Sequence, residues 1–395
     1  MTSGSRGADV ARGRRLLPLV LATTATQSSI VVLTPIVVAV SRDLDVSVSA
    51  VGQARTVLAA VACLAAFRAG ALIDKLGVKP LIVGGSVLAL LGAVVTSLSA
   101  ALPLFYAGHA ITGIGVAALL SAGFAGVSAY FPERDAAWAL GYVVGSQSIA
   151  WIVGNPLVGL LTDWGSWRLA YAVPATIALL ALAAGLTAPP PRDSRAPAGG
   201  GIGGVARDRS ARRWAVAELV AYAAWTAELT YAGAFYIDTY GVSEAALGFI
   251  LAIGSIAFLA ATLSSHRLAM RWDRRRLIAT TGVAMGALLV VFFNVTPAVG
   301  FSVAVICVVA VCAGLRSTGS SALGLSQLPA HPGSMMAART ASAQLGYMIG
   351  AVVGGTVLAV AGFGTLGWVL FAGMSASALL VAGVSDRTAR MRTAT

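Results

Sequence analysis

Apolar residues run along this chain in long continuous blocks, not in the alternating or heptad patterns of water-soluble elements. Leu81 to Gly108 and Thr280 to Gly314 are two such blocks. A helix needs about 20 apolar residues to cross the hydrocarbon core of a bilayer. On that length, the blocks predict spans at 16–40, 48–73, 79–100, 103–130, 137–161 and 168–188. After a gap, further spans follow at 214–238, 245–265, 276–296, 299–325, 337–361 and 364–384. The run 299–325 is the least clean, because Arg316 interrupts it. A transmembrane β-barrel would alternate apolar and polar positions over about 10 residues per strand, and continuous runs argue against it. The expected fold class is an all-α polytopic membrane protein of twelve transmembrane helices.

The gap is a different material. Pro189-Pro190-Pro191-Arg192-Asp193 leads into Gly199-Gly200-Gly201-Ile202-Gly203-Gly204. Proline followed by glycine in a charged stretch reads as a flexible linker. The expected organisation is an N-terminal six-helix bundle over 1–188, a cytoplasmic linker over 189–213 and a C-terminal six-helix bundle over 214–395. The halves also repeat. Val46-Ser47, Gly52 and Leu81-Ile82 match Val242-Ser243, Gly248 and Leu277-Ile278 at a constant offset of 196, with Lys75 over Arg271 and Lys79 over Arg275. Such a repeat suits alternating access, in which two pseudo-symmetric bundles rock around a site at the bilayer midplane.

Composition supports this reading. Of 395 residues, 58% are hydrophobic and only 11% charged, whereas a soluble domain carries about a quarter charged residues to keep its surface wet. The 45 glycines suit helices that approach closely where no hydrophobic effect drives them together. The net charge of +12 would suggest nucleic acid in a soluble protein. Here the arginines sit between apolar blocks and do not interleave with aromatics, so no nucleic-acid partner is expected. They set topology instead: 21 of the 27 Lys and Arg fall in the N-terminal tail, the loops after spans two, four and eight, the linker and the C-terminal tail. The excess side is cytoplasmic. An even number of spans then puts both termini inside, in a cell (inner) membrane. The first block follows Arg12, Arg14 and Arg15 but is too long for a signal-peptide core, so it reads as a retained helix.

Cys63, Cys307 and Cys312 lie scattered in apolar runs, and His109, His266 and His331 are far apart. Neither set has disulfide or metal-ligand spacing, so no metal and no cofactor is expected. No G-x-x-x-x-G-K-[ST] loop is present to hold a nucleotide, and the chain does not read as an enzyme.

After span two the chain reads Gly70-Ala-Leu-Ile-Asp74-Lys75-Leu-Gly77-Val-Lys79-Pro80. This resembles the loop pattern G-x-L-x-D-[RK]-x-G-R-[RK] of the major facilitator superfamily, departing at Val78. The resemblance implies a conformational latch built from Gly70, Asp74, Lys75, Gly77 and Lys79, with Arg134 and Arg339 as cytoplasmic charge partners. The plainer alternative is a basic loop. The second-half copy, His266 to Arg275, has Met270 where Asp74 would align. Span four carries His109-Ala-Ile-Thr-Gly113-Ile-Gly115-Val-Ala117, similar to the family pattern R-x-x-x-G-x-G-x-A. His109 stands where drug exporters have an arginine tied to proton coupling. A histidine titrates near neutral pH and could act as a proton switch; the alternative is a histidine hydrogen-bonded near a helix end. In span five, Gly145, Gly154, Asn155, Pro156 and Gly159 resemble the antiporter motif, closest to the drug, purine and sugar efflux branch. Asn155 and Trp151 replace expected glycines there. A proline among glycines makes a bending element.

Ionisable groups inside a span are functional candidates by default. Glu228 is about 14 residues into span seven, or roughly 21 Å at 1.5 Å per residue. Trp225 and Tyr231 flank it at i−3 and i+3. A carboxyl in that setting suits proton coupling or cation recognition. Glu218, nearer the cytoplasmic end, reads as an interfacial charge. Arg55, Gln147, Tyr222, Trp225, Tyr231, Arg316 and Gln344 are candidates to line the substrate cavity, and Arg316 is a candidate partner for Glu228. Span one carries no acid, so coupling falls on Glu228 with His109 second.

The resemblance implies a secondary active transporter: a proton-coupled exporter of a small apolar or amphipathic molecule, acting by alternating access as a monomer in the lipid bilayer. An uptake symporter on the same fold is the rival. A receptor or membrane enzyme without transport is a third reading, unsupported by any nucleophile–base or metal cluster.

Overall fold

A computed structural model of the chain describes residues 3–190, 203–269, 273–328 and 332–386. Among them every regular element is a helix. In chain order these are α1 (Ser3–Val31), α2 (Leu33–Asp43), α3 (Val48–Leu76), α4 (Val78–Ser97), α5 (Leu102–Tyr130), α6 (Glu133–Trp164), α7 (Trp167–Ala170) and α8 (Ala172–Thr187). The second half holds α9 (Gly203–Arg207), α10 (Arg209–Tyr240), α11 (Glu244–Ala269), α12 (Arg274–Asn294), α13 (Val299–Leu325) and α14 (Pro332–Ala382).

Among the described residues fourteen helices make twelve spans: prolines split two spans into α1 with α2 and α7 with α8, a glycine folds α14 into two, and the five-residue α9 is too short to cross. Pro35 has no N–H for the Val31 carbonyl, and the chain bends by 41° between the two parts of span one, Arg12–Val31 and Leu33–Asp43. Pro174 does the same to the Ala170 carbonyl, and α7 stops at that residue before α8 continues span six. α14 is 51 residues long, about 77 Å at 1.5 Å per residue. That is more than twice the roughly 30 Å of bilayer hydrocarbon. It is folded at Gly362, whose φ of 75° and ψ of −178° lie outside the helical region, a conformation that only glycine enters at little cost. Nine described helices are long and apolar enough to cross a membrane, or ten with the bent pair counted as one span. The fold in α14 adds one, and α10, less apolar because it carries Glu218 and Glu228, adds the twelfth.

Two compact units divide the chain: Met1–Ser47, Val57–Ala196 and Ser243–Phe249 in the first, and Val48–Thr56, Pro197–Val242 and Ile250–Thr395 in the second. The start of α3 therefore clusters with the second unit, where Ser49 and Gln53 donate hydrogen bonds to the Gly355 and Ala351 carbonyls of α14 at 2.7 and 3.1 Å. The start of α11 clusters with the first unit, because glycines allow backbone contact with α6. A Cβ on Gly159 would strike the Glu244 carbonyl, and one on Gly248 the Asn155 carbonyl.

Small residues set the helix spacing within each unit, as expected for packing in lipid. In the first unit, a Cβ on Gly115 of α5 would lie 2.7 Å from the Ala89 nitrogen of α4. In the second, Gly346 and Gly350 let α14 lie against the Leu219 and Ala223 carbonyls of α10. Large apolar side chains such as Leu64, Trp164, Val360 and Leu379 point outward instead.

Most of the expected linker, 191–202, lies outside the described residues. Its last part is helical, not flexible: α10 begins at Arg209 rather than 214, because the Asp208 carboxylate accepts from the Ser210 and Ala211 amides at 3.0 and 2.8 Å. That is an N-cap satisfying two helix donors.

Candidate functional site

The second unit gathers most of the ionisable groups that the membrane spans carry. Glu218 and Glu228 are on the same helix, ten residues apart, hence roughly 15 Å in rise. Gly346, Gly350 and Gly354 hold α14 against α10 from Leu219 to Tyr231, and both carboxyls are buried.

Glu218 is the hub of a three-residue charge cluster. Its side chain is 0% exposed. Arg316 of α13 donates from Nη2 to its Oε1 at 2.9 Å and to the Ser377 hydroxyl of α14 at 3.2 Å. Arg339 of α14 places Nε 3.4 Å from its Oε2, without hydrogen-bond geometry: both atoms are buried and lack a hydrogen-bond partner. Arg339 donates instead from Nη2 to the Ser317 hydroxyl at 2.8 Å and lies 5.6 Å from the centre of the Tyr222 ring. One carboxylate thus faces two guanidiniums, a local excess of one positive charge. Ions removed from water need close compensation, and Arg316 has it. Arg339, 24% exposed at its side chain against 8% for Arg316, is the less fully engaged of the two.

Glu228 is 3% exposed and Arg55, from the start of α3, is 5% exposed. Arg55 is within electrostatic reach of Glu228, Tyr231 and Tyr347. Arg316 is therefore not the partner of Glu228; it belongs to Glu218. Nor is Glu218 an interfacial charge, since it is buried completely. Between the two carboxyls lies an aromatic wall. Tyr222 packs edge-on to Tyr347 at 5.7 Å and stacks with Trp225 at 6.1 Å, and Trp225 stacks with Phe258 of α11 at 5.5 Å. Tyr231 is not part of that wall. It is fully buried, donates its hydroxyl to the Ala351 carbonyl at 3.2 Å, and is wedged among Gly52, Gly354 and Gly355. Gln344 is buried, with Oε1 unpartnered.

The first unit holds the remaining candidates, and they read mainly as packing. His109 is buried in α5, its Nδ1 2.9 Å from the Phe105 carbonyl and its Nε2 3.4 Å from the Tyr171 hydroxyl. Phe105 and Tyr171 pack against it, and Trp167 packs against both of those rings. Gln147 accepts from Gln27 at 2.9 Å, and Gln27 in turn accepts from the Trp151 indole at 3.0 Å. That polar chain links α1 to α6. In α6, Asn155 donates to the Trp151 carbonyl at 2.9 Å, Gly154 approaches Val31, and nothing stands within 4 Å of a Cβ on Gly145. α6 remains one helix through Pro156.

The latch residues are described only in part. Gly70 lies inside α3, not at its end, and the turn to α4 is the single residue Gly77, at φ 83°. Lys75 is exposed. Lys79 donates to the Leu186 and Ala188 carbonyls at 2.9 Å each, where a cation suits the C-terminal end of a helix. Arg339 is engaged with Glu218 as described. The surroundings of Gly70 and the side chains of Asp74 and Arg134 lie outside the described residues.

Sequence reasoning missed Glu218 as a hub, Tyr347 and Phe258 as wall residues, and Gln27 as the partner of Gln147. Gln27 was the detectable one, a lone amide in an otherwise apolar and hydroxylic span.

The Major Facilitator Superfamily model matches residues 19–331. Two uncharacterized MFS-type transporters of Mycobacterium tuberculosis are 32% identical over 118 residues, covering 29% of this chain and 17% of each relative. The aligned part thus spans about a sixth of the relatives' length. Among solved structures, a D-xylose-proton symporter superposes with a TM-score of 0.77 at 15% identity, covering 95% of this chain and 98% of that one. A bacterial homologue of the human lysosomal transporter Spinster, inward-facing and unoccupied, gives 0.70 at 16% identity, with 94% and 95% covered. At such identities these likenesses bear on the fold alone.

Proposed function

Because the chain belongs to the Major Facilitator Superfamily, we propose that it is a proton-coupled secondary active transporter that exports a small apolar or amphipathic molecule by alternating access. The observation that carries the coupling is Glu228, a carboxyl enclosed in a membrane span within reach of Arg55. A carboxylate in such a place is expensive unless paired or protonated, so gain and loss of a proton there changes what Arg55 faces. The aromatic wall beside it suits an apolar or amphipathic cargo. The export direction rests on the Gly154-Asn155-Pro156-Leu-Val-Gly159 segment of α6 and its likeness to the efflux branch. Alternating access would move the six-helix halves, 1–188 and 214–395, about the linker. The protein works as a multi-pass monomer in the cell (inner) membrane, with the Arg-rich termini in the cytoplasm; reporter fusions at both ends test that orientation.

One observation favours the reverse direction. Around Glu218 two guanidiniums share one carboxylate, and protonating Glu228 would add a second unit of excess positive charge. A proton and an anionic cargo would then bind together, as in an uptake symporter. Two measurements decide. In a compound screen with the gene expressed and deleted, cells lacking an exporter accumulate more of its cargo; lower accumulation makes the protein an importer. In proteoliposomes, Glu228→Gln should abolish flux driven by a pH gradient while sparing cargo exchange. An undiminished response to the gradient would remove Glu228 from the coupling step.

A further inference from the structure

We propose that Arg339 anchors the anionic head of the cargo, and that the cargo is an amphipathic organic anion whose apolar body lies along the Tyr222, Tyr347, Trp225 and Phe258 rings. The inference deepens the transport reading and rests on it, but not on its direction.

Three observations converge. The first is charge. Glu218 neutralises one guanidinium, and two are present. In a site enclosed by packed helices an unmatched cation is costly and calls for a counter-ion. The second is engagement. Arg316 is directed at Glu218 Oε1 and Ser377, two partners at 2.9 and 3.2 Å. Arg339 makes one hydrogen bond, to Ser317, and approaches Glu218 Oε2 without forming another. A guanidinium presents five donors in a fork matched to a carboxylate or sulfonate, so Arg339 retains capacity that its present contacts do not use. The third is location. Arg339 stands over the Tyr222 ring at 5.6 Å. That ring opens the aromatic series that continues to Tyr347 on one side and to Trp225 and Phe258 on the other. A charged head and a flat apolar surface side by side describe an amphipathic anion, not a sugar or a cation. A cationic cargo would meet like charge at Arg339, and a neutral polyol would leave the excess positive charge without a counter-ion.

The substitution that tests this is gentle to the fold. In Arg339→Gln, Glu218 and Arg316 remain as a one-to-one pair. The probes are 2-naphthoate, its neutral carboxamide and 2-naphthylmethylammonium, matched in shape and different in charge. Binding to the full chain in lipid nanodiscs is read by calorimetry. Naphthoate should bind at least 10-fold more tightly than either of the others, and R339Q should erase that preference while leaving carboxamide affinity unchanged. Arg339→Lys, a cation without the fork, should retain part of it. If wild-type protein binds naphthoate no more tightly than the carboxamide, including no binding of either, the proposal is overturned. It is equally overturned if R339Q keeps the preference. Naphthoate flux under a pH gradient in proteoliposomes separates this from the underlying reading. Selective binding without gradient-driven flux leaves the anion site standing and removes proton coupling, whereas flux without charge selectivity does the reverse.

Discussion

Replacing Glu218 with glutamine should destabilise the protein strongly, even though the change is isosteric. Glu218 is fully buried and faces Arg316 at 2.9 Å and Arg339 at 3.4 Å. Removing one partner of a buried ion pair typically costs about 3–5 kcal/mol, because the remaining charge is left without compensation. In Glu218→Gln the side-chain amide oxygen could still accept the Arg316 hydrogen bond, and Arg339 is partly exposed. The lower end of that range, about 3 kcal/mol, therefore applies. For a unit of this size class, 1 kcal/mol corresponds to roughly 2–4 °C in Tm, which gives a fall of roughly 6–12 °C. The assay is thermal unfolding of the purified chain in detergent, followed by tryptophan fluorescence; Trp214 and Trp225 lie on the same helix as Glu218. The double variant Glu218→Gln/Arg339→Gln returns the local charge from +2 to +1. It should recover about 0.5–3 kcal/mol, the usual coupling between contacting residues. A fall of less than about 2 °C in the single variant, or no recovery in the double, would refute the shared-carboxylate account.

Three further outcomes are expected. His109→Gln should leave the pH dependence of flux unchanged, since the ring is packed between Phe105 and Tyr171; a displaced profile in proteoliposomes would return His109 to the coupling step. Gly350→Val should abolish folded expression, as even a Cβ there would run into the Ala223 carbonyl, and overpacking of this kind costs about 1–3 kcal/mol or more; size-exclusion chromatography of the solubilised protein reports it. Asp273→Ala should cost about 1 kcal/mol in unfolding experiments, because its carboxylate accepts the Arg276 amide at 3.0 Å as the N-cap of α12.

The spans were legible because a bilayer leaves only one solution for a long apolar run: every backbone group must be satisfied within the helix. Even the fold within α14 was visible, since Gly362 and Gly364 stand between two apolar runs. Partnerships were not legible. Glu218 looked peripheral because its distance from the helix start was counted from 214, whereas the Asp208 cap moves that start to Arg209. Arg316 was matched to the wrong acid because sequence carries no azimuth for α13 relative to α10. The latch motif fixes spacing but not partners: Lys79 donates to the Leu186 and Ala188 carbonyls, contacts that no motif announces. Gln147 was found without Gln27 because one amide in a span signals polarity, not its complement.

The fold at Gly362 has a consequence for how the protein is made. Its φ of 75° reverses the chain within α14, and nothing lies within 4 Å of where a Cβ would stand, so the constraint is one of backbone conformation and not of space. A reversal that short contains no hydrophilic segment to be carried across the bilayer on its own. Two spans joined this closely are suited to entering the bilayer together as one helical hairpin, each already satisfying its own backbone hydrogen bonds.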